Sequence, residues 1–176
     1  MLVDANILLF AVDEASPFHE AASRWLARML GGPRRIGLPW ASLAAFVRVS
    51  THPRAATHPL SPSEAWSYVE DWLSADVAWI PQPTERHAAV LGTLVVTYQL
   101  RGNLISDAQL AALAIEHGLT VCSADTDFAR FSEIRWQNPV APRGSASPPG
   151  AGQRRSRRAC RGTPGGSSTA DPHRGA

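Results

Sequence analysis

Asp107-Ala108-Gln109-Leu110-Ala111-Ala112-Leu113-Ala114-Ile115-Glu116-His117-Gly118-Leu119-Thr120-Val121-Cys122-Ser123-Ala124-Asp125-Thr126-Asp127 is the stretch that decides the fold. Its first half repeats apolar residues at helical spacing, and Gly118 is a helix terminator. Leu119 to Ser123 then reads as a strand with Cys122 inside it. The same alternation runs backward through the chain. Met1 to Asp4 reads as a short buried strand, and Ser16-Pro17 signals a helix start that carries Phe18, Ala22, Trp25, Leu26 and Leu30. Arg34 to Leu38 is a second strand, followed by a helix from Trp40 to Ser50. Ser61-Pro62-Ser63-Glu64 is a capping box ahead of a further helix, and Val77 to Ile80 is a strand. Thr84 caps a helix through Tyr98, and Glu133 to Gln137 is a last, edge-like strand. Strands interleaved with helices predict an α/β fold, a central, mainly parallel sheet flanked by helices.

Four aspartates mark the strand and helix ends of that pattern: Asp4, Asp107, Asp125 and Asp127. In open parallel sheets, sites form outside the carboxyl ends of the strands, near a topological switch point. Asp4 ends the first strand, Asp125 and Asp127 follow the late one, and Asp107 opens the helix between, so all four can converge on one rim. Each has a plainer reading by itself. Asp107 is a good helix N-cap, and Asp125 and Asp127 are good turn residues. Asp4 is harder to explain that way, because strands disfavour Asp. Carboxylates gathered at ~4 Å repel by ~4 kcal/mol at an effective dielectric of ~20, so a cluster needs a cation or a shared proton. Mg²⁺ or Mn²⁺ suits such hard oxygen donors. The protease-type Asp-Thr/Ser-Gly signature, a phosphate loop and a serine nucleophile elbow are missing. So is the Asp-x-Asp of a phosphatase-like nucleophile, because residue 6 is Asn.

The 176 residues contain 44% hydrophobic side chains and no lysine, all 17 basic residues being arginine. No apolar run is long enough to cross a bilayer, and no signal peptide is apparent, which predicts a cytoplasmic protein. Cys122 and Cys160 do not form a disulfide framework. The net charge of +2 divides unequally: residues 1–142 carry −4 and residues 143–176 carry +6. That Arg/Gly/Pro/Ser-rich tail has no large apolar side chain and is expected to be disordered, leaving 1–142 as the folded domain. The tail is either a basic arm for RNA phosphates or an extension without a role.

Three segments then resemble one family. Leu2-Val3-Asp4-Ala5-Asn6, Asn103-Leu104-Ile105-Ser106-Asp107-Ala108 and Ser123-Ala124-Asp125-Thr126-Asp127-Phe128 are similar, in order and spacing, to the motifs of PIN-domain nucleases. Within these the chain resembles VapC-type toxins of type II toxin–antitoxin systems. It carries Leu38-Pro39-Trp40 before the second motif and Ala129-Arg130-Phe131 after the last. The similarity runs from Met1 to about Pro142. One position departs, since Ala45 stands where the family usually has Glu. Asp13 or Glu14 is a candidate to approach the site in its place.

The resemblance implies a three-layer PIN-like sandwich and a Mg²⁺-dependent endoribonuclease, with Mn²⁺ as a substitute. Asp4 and Asp107 would be the primary metal ligands, with Asp125 and Asp127 completing the catalytic set, and a metal-activated water would attack the phosphodiester. Asn6 and Ser123 would hold supporting positions, and Arg48 would touch substrate phosphate. The implied partners are RNA, a cognate VapB-type antitoxin and a second copy in a homodimer, with no membrane. Trp25, Leu26, Trp66 and Trp72 are candidate anchors or core residues. The alternative, prompted by Ala45, is a catalytically degenerate PIN-like module that binds RNA or a partner without cutting.

Overall fold

The computed structural model describes residues 1–56 and 58–141. The expectations for the tail 143–176, with Cys160, and for the boundary at 142 lie outside the described residues. Five strands form one sheet: β1 (Leu2–Val3), β2 (Ile36–Gly37), β3 (Ala78–Trp79), β4 (Thr120–Cys122) and β5 (Arg135–Gln137). Their order is β3-β2-β1-β4-β5, and every neighbouring pair is parallel. Parallel neighbours need long crossovers, which helices supply. These are α1 (Ala5–Val12), α2 (His19–Leu30), α3 (Trp40–Ser50), α4 (Pro62–Leu73), α5 (His87–Thr97) and α6 (Leu104–His117), with a 3-10 turn at Thr126–Arg130. Among the described residues, no helix is long and apolar enough to cross a membrane.

The strands are only two or three residues long, so helix packing on both faces carries most of the burial. Successive strand residues point to opposite faces. Val3 and Cys122 join a core with Ile7, Leu8, Trp25, Phe46, Val69 and Trp72, from α1 to α4. Leu2 and Val121 join a second core with Leu94, Leu110, Leu113 and Phe128, from α5, α6 and the 3-10 turn. The result is the three-layer α/β sandwich. Trp25, Leu26 and Trp72 are buried in it, whereas Trp66 is exposed.

Several helix boundaries differ from expectation. Ser16 accepts the Phe18 N–H at 3.2 Å, but this closes a turn ahead of α2, which begins at His19. Thr84 likewise accepts the Arg86 N–H, and α5 begins at His87. In α6 the helix starts at Leu104, three residues before Asp107. The helix α1 was not anticipated at all. Ser61 and Glu64 do form the reciprocal capping box at the start of α4.

The chain builds β1, β2 and β3 outward in one direction, then returns to the other side of β1 for β4 and β5. The order therefore reverses between β1 and β4. The carboxyl ends of those two strands are where a crevice is expected, and Asp4 and Ser123 are the residues that immediately follow them.

Candidate metal centre

Asp4 leaves the sheet and starts a helix in one step. Its backbone N–H still belongs to the sheet, donating to the Cys122 carbonyl at 3.0 Å. Its Oδ1 accepts the Ala5 N–H at 2.6 Å and so caps α1. That duty explains an acid at a strand end, because Asp satisfies an open N–H and the helix's positive pole favours its charge. Oδ2 accepts from Asn6 Nδ2 and from Ser123 Oγ, each at 2.7 Å. Ser123 is fully buried, and its hydroxyl also accepts from Asn6 Nδ2 at 2.9 Å and the Asp125 N–H at 3.0 Å. Asn6 Oδ1 accepts the Ala124 N–H at 3.2 Å. These bonds tie the end of β1 to the end of β4 and leave neither Asn6 nor Ser123 an idle donor.

Asp125 caps the 3-10 turn, its Oδ1 accepting the Asp127 N–H at 2.8 Å. Asp127 is paired with Arg130 at 2.6 Å, and Arg130 Nε also donates to the Asp127 carbonyl at 3.1 Å. Asp107 lies in the first turn of α6, where Asn103 holds the N-cap position, so the reading of Asp107 as a cap does not hold. One oxygen from each of Asp107, Asp125 and Asp127 lies within 4.8 Å of the others. Asp4 is a hydrogen-bonded step away, through Ser123, from Asp125.

The electrostatics follow this crowding. Partial burial, then the charges of Asp125, Asp4 and Asp127, push the Asp107 carboxyl up to about 6, with Arg130 pulling it back. Asp4 is also raised, first by burial and further by Asp125, against the hydrogen bonds from Ser123 and Ala5. Among the described residues Arg130 is the cation that acts here, paired with Asp127 and reaching Asp107 by its charge. The donors are all hard carboxylate oxygens, with like charges at a few ångströms, a set that fits a divalent cation.

Other expected residues fall elsewhere. Arg48 is exposed in the last turn of α3, and no hydrogen bond or ion pair joins it to the aspartates. It lies ~12 Å along the axis from the α3 start at the rim. Ala45 is half-buried on α3, which carries no acid. Asp13 and Glu14 do not replace the missing Glu. Asp13 ends α1, the far end from Asp4, and both line a cavity of about 420 Å³ with Leu9, Phe46 and Tyr68. Arg130 is the residue that sequence reading quoted only within a motif and gave no role at the site. Its signal was present, because an Asp and an Arg three apart are neighbours on a helical turn.

The PIN-domain family profile matches residues 1–134. The chain is 43% identical to ribonuclease VapC37 of Mycobacterium tuberculosis over 140 residues, 80% of this chain and 97% of that one. It is 39% identical to ribonuclease VapC43 of the same organism, again over 140 residues, 80% and 95% of the two chains. Among solved structures, Mycobacterium tuberculosis VapC20, described as a sarcin–ricin loop cleaving toxin, aligns with a TM-score of 0.57 at 18% identity. That alignment covers 76% of this chain and 98% of VapC20. VapBC2 from Rickettsia felis, bound to a promoter DNA fragment, gives 0.57 at 18% identity over 78% and 96%. These two likenesses speak for the fold, while the profile and the ribonucleases of 39–43% identity speak for the family. With its motif residues gathered where β1 and β4 end, the chain belongs to the PIN-domain family, among its VapC-type ribonuclease toxins.

Proposed function

We propose that the protein is a Mg²⁺-dependent endoribonuclease that hydrolyses RNA phosphodiesters, with Mn²⁺ able to substitute. The observation that carries this reading is the convergence of Asp107, Asp125 and Asp127 to within 4.8 Å beside a pre-oriented Asp4. Asp107 and Asp4 are the primary holders of the ion, with Asp125 and Asp127 completing or orienting the set. When bound, the cation supplies charge neutralisation at the phosphate and lowers the pKa of a water. Asn6 and Ser123 fix the rotamer of Asp4, and Arg130 restrains Asp127. Without an ion, the aspartates repel both one another and an RNA phosphate, so substrate binding and ion binding are coupled. Arg48 remains a candidate for a more distant backbone phosphate.

The biological reading is a toxin that acts in the cytoplasm as a homodimer and is silenced by a small cognate VapB-type antitoxin. Support comes from the VapC ribonucleases it resembles and from VapBC complexes that share its fold.

Purified protein incubated with total cellular RNA tests the activity. With Mg²⁺, discrete fragments are expected, and they disappear in chelator, in Asp4→Ala and in Asp107→Asn. Cleavage that persists in Asp107→Asn would remove Asp107 from the metal site. A wild-type protein inert in both Mg²⁺ and Mn²⁺ would return the chain to the degenerate-module reading, with Ala45 as its cause.

A further inference from the structure

The strand β4 ends at Cys122, and the chain then has two residues in which to bring Asp125 to the other acids. So short a strand does not fix the backbone that far beyond its end. The Ser123–Ala124 peptide does, because it is held at both edges. Ser123 is fully buried, so its carbonyl oxygen has to be met inside the protein. It accepts the indole N–H of Trp136 at 3.0 Å. The Ala124 N–H, at the opposite edge of the same trans peptide, donates to Asn6 Oδ1 at 3.2 Å. The peptides on either side are tied as well. The Ser123 N–H donates to the Gln137 carbonyl at 3.1 Å, and the Asp125 N–H to Ser123 Oγ at 3.0 Å.

Trp136 lies on β5 at the edge of the sheet, past residue 134, where the family match ends. Its register partner is Val121, and both side chains join the core formed with α5 and α6. A phenylalanine or leucine could cover that core as well. Only the indole adds a donor, which reaches two residues along the neighbouring chain to the carbonyl ahead of Ala124. The fold does not give every indole an acceptor, since the Trp79 N–H is buried without a partner among the described residues. If the Ser123–Ala124 peptide turned over, its N–H would leave Asn6. Asn6 also donates to Asp4 at 2.7 Å, and Asp125 follows one residue later. One peptide plane therefore bears on both ends of the acidic group.

We propose that Trp136 is a positioning residue for the ion site. Its indole N–H, with Asn6 across the same peptide, holds the Ser123–Ala124 unit in the orientation that sets Asp125 against Asp107 and Asp127. This rests on the metal-dependent reading above and adds to it a residue of β5 that stands outside the aspartate motifs. Trp136 touches neither ion nor substrate. It acts through Asp125, by keeping three mutually repelling carboxylates preorganised for a cation.

The test uses the full chain and Mn²⁺ alone, with binding read from the loss of the free ion's electron paramagnetic resonance signal. Trp136→Phe keeps an apolar ring and removes the N–H. It is expected to weaken Mn²⁺ binding about 10-fold, the lower end of what losing an outer hydrogen bond costs at a metal site. The Mg²⁺ concentration for half-maximal RNA cleavage should rise by the same factor. In an Asp125→Asn background, Trp136→Phe is expected to cost nothing further, because the residue it positions no longer carries the charge. Unchanged Mn²⁺ affinity in Trp136→Phe makes Trp136 a core residue only. An equal penalty with and without Asp125 also overturns the role proposed. Either result spares the ion site, whereas a wild type that takes up no ion overturns both readings. Should the phenylalanine protein fail to fold, the indole N–H resonance of Trp136 in the wild type carries the test. It is expected to exchange slowly with solvent and to shift on Mg²⁺ addition, and a resonance that Mg²⁺ leaves in place overturns the proposal.

Discussion

Asp107 and Ser123 lie on the same rim and make opposite contributions to the fold. Ser123 is fully buried and serves Asp4, Asn6 and the Asp125 N–H together. Removing its oxygen leaves buried partners unmet, so Ser123→Ala is expected to cost about 1–3 kcal/mol in chemical denaturation. Asp107 has no such partners among the described residues and faces three like charges. Asp107→Asn is therefore expected to keep or raise the melting temperature in chelator while abolishing cleavage. A fall of several degrees would make Asp107 a structural residue. The two roles were unequally legible. Asp4 could be placed on the rim from its position at a strand end, while Asn6 and Ser123 came beside it only through the family resemblance. Which of them bonds to which depends on side-chain geometry across 117 to 119 residues of chain, beyond any local pattern. Arg130 was visible as an i, i+3 partner of Asp127, but only the fold shows that its charge also reaches Asp107.

At the scale of elements, the α6–β4 junction was the most legible part of the chain, and the structure explains why. Gly118 has φ +62°. The Leu119 N–H returns to the Ala114 carbonyl at 2.8 Å and the Gly118 N–H to Ile115 at 3.4 Å, the paired bonds that end a helix on a left-handed residue. A Cβ at this position would meet nothing within 4 Å. Gly118→Ala is thus expected to cost only its backbone strain, about 1–2 kcal/mol, read by denaturation at unchanged metal dependence of cleavage. Where sequence signals failed, a turn or a second duty intervened. Ser16 and Thr84 have cap chemistry, yet each satisfies an N–H just ahead of its helix. The helix α1 was hidden because Ala5–Val12 is apolar on nearly every side, with α2 and α3 packed against it, so no amphipathic stripe announces it. Its one signal was Asp4, whose acidic character pointed to a site before it pointed to a cap.

For the whole molecule, the sheet order places the acids together at the reversal between β1 and β4, and the matching relatives bear on how much chain this needs. About 140 residues of this chain span 97% of the Mycobacterium tuberculosis relative VapC37. Deleting residues 143–176 is accordingly expected to leave the melting temperature unchanged, and a loss of several degrees would assign the segment to the folded domain. The acids also link global stability to pH and ions. Asp107 titrates at about 6 in the folded chain against an ordinary 3.8, so the ion-free fold binds a proton more tightly than the unfolded chain does. Its contribution is present at low pH and is lost as pH rises through 6. Asp4, also raised, acts in the same direction. Glu64 and Glu116 are lowered, and their stabilisation is lost only below the ordinary glutamate range. Between pH 5 and 7, in chelator, the melting temperature should therefore fall as pH rises, and the slope should shrink in Asp107→Asn, which subtracts the histidines common to both proteins. Mg²⁺ at 100 times its dissociation constant should return about 2.7 kcal/mol at pH 7. That gain should be smaller at pH 5, where a proton competes for the Asp107 carboxylate. A Mg²⁺ effect equal at both pH values, or equal in Asp107→Asn, would place the ion away from this residue.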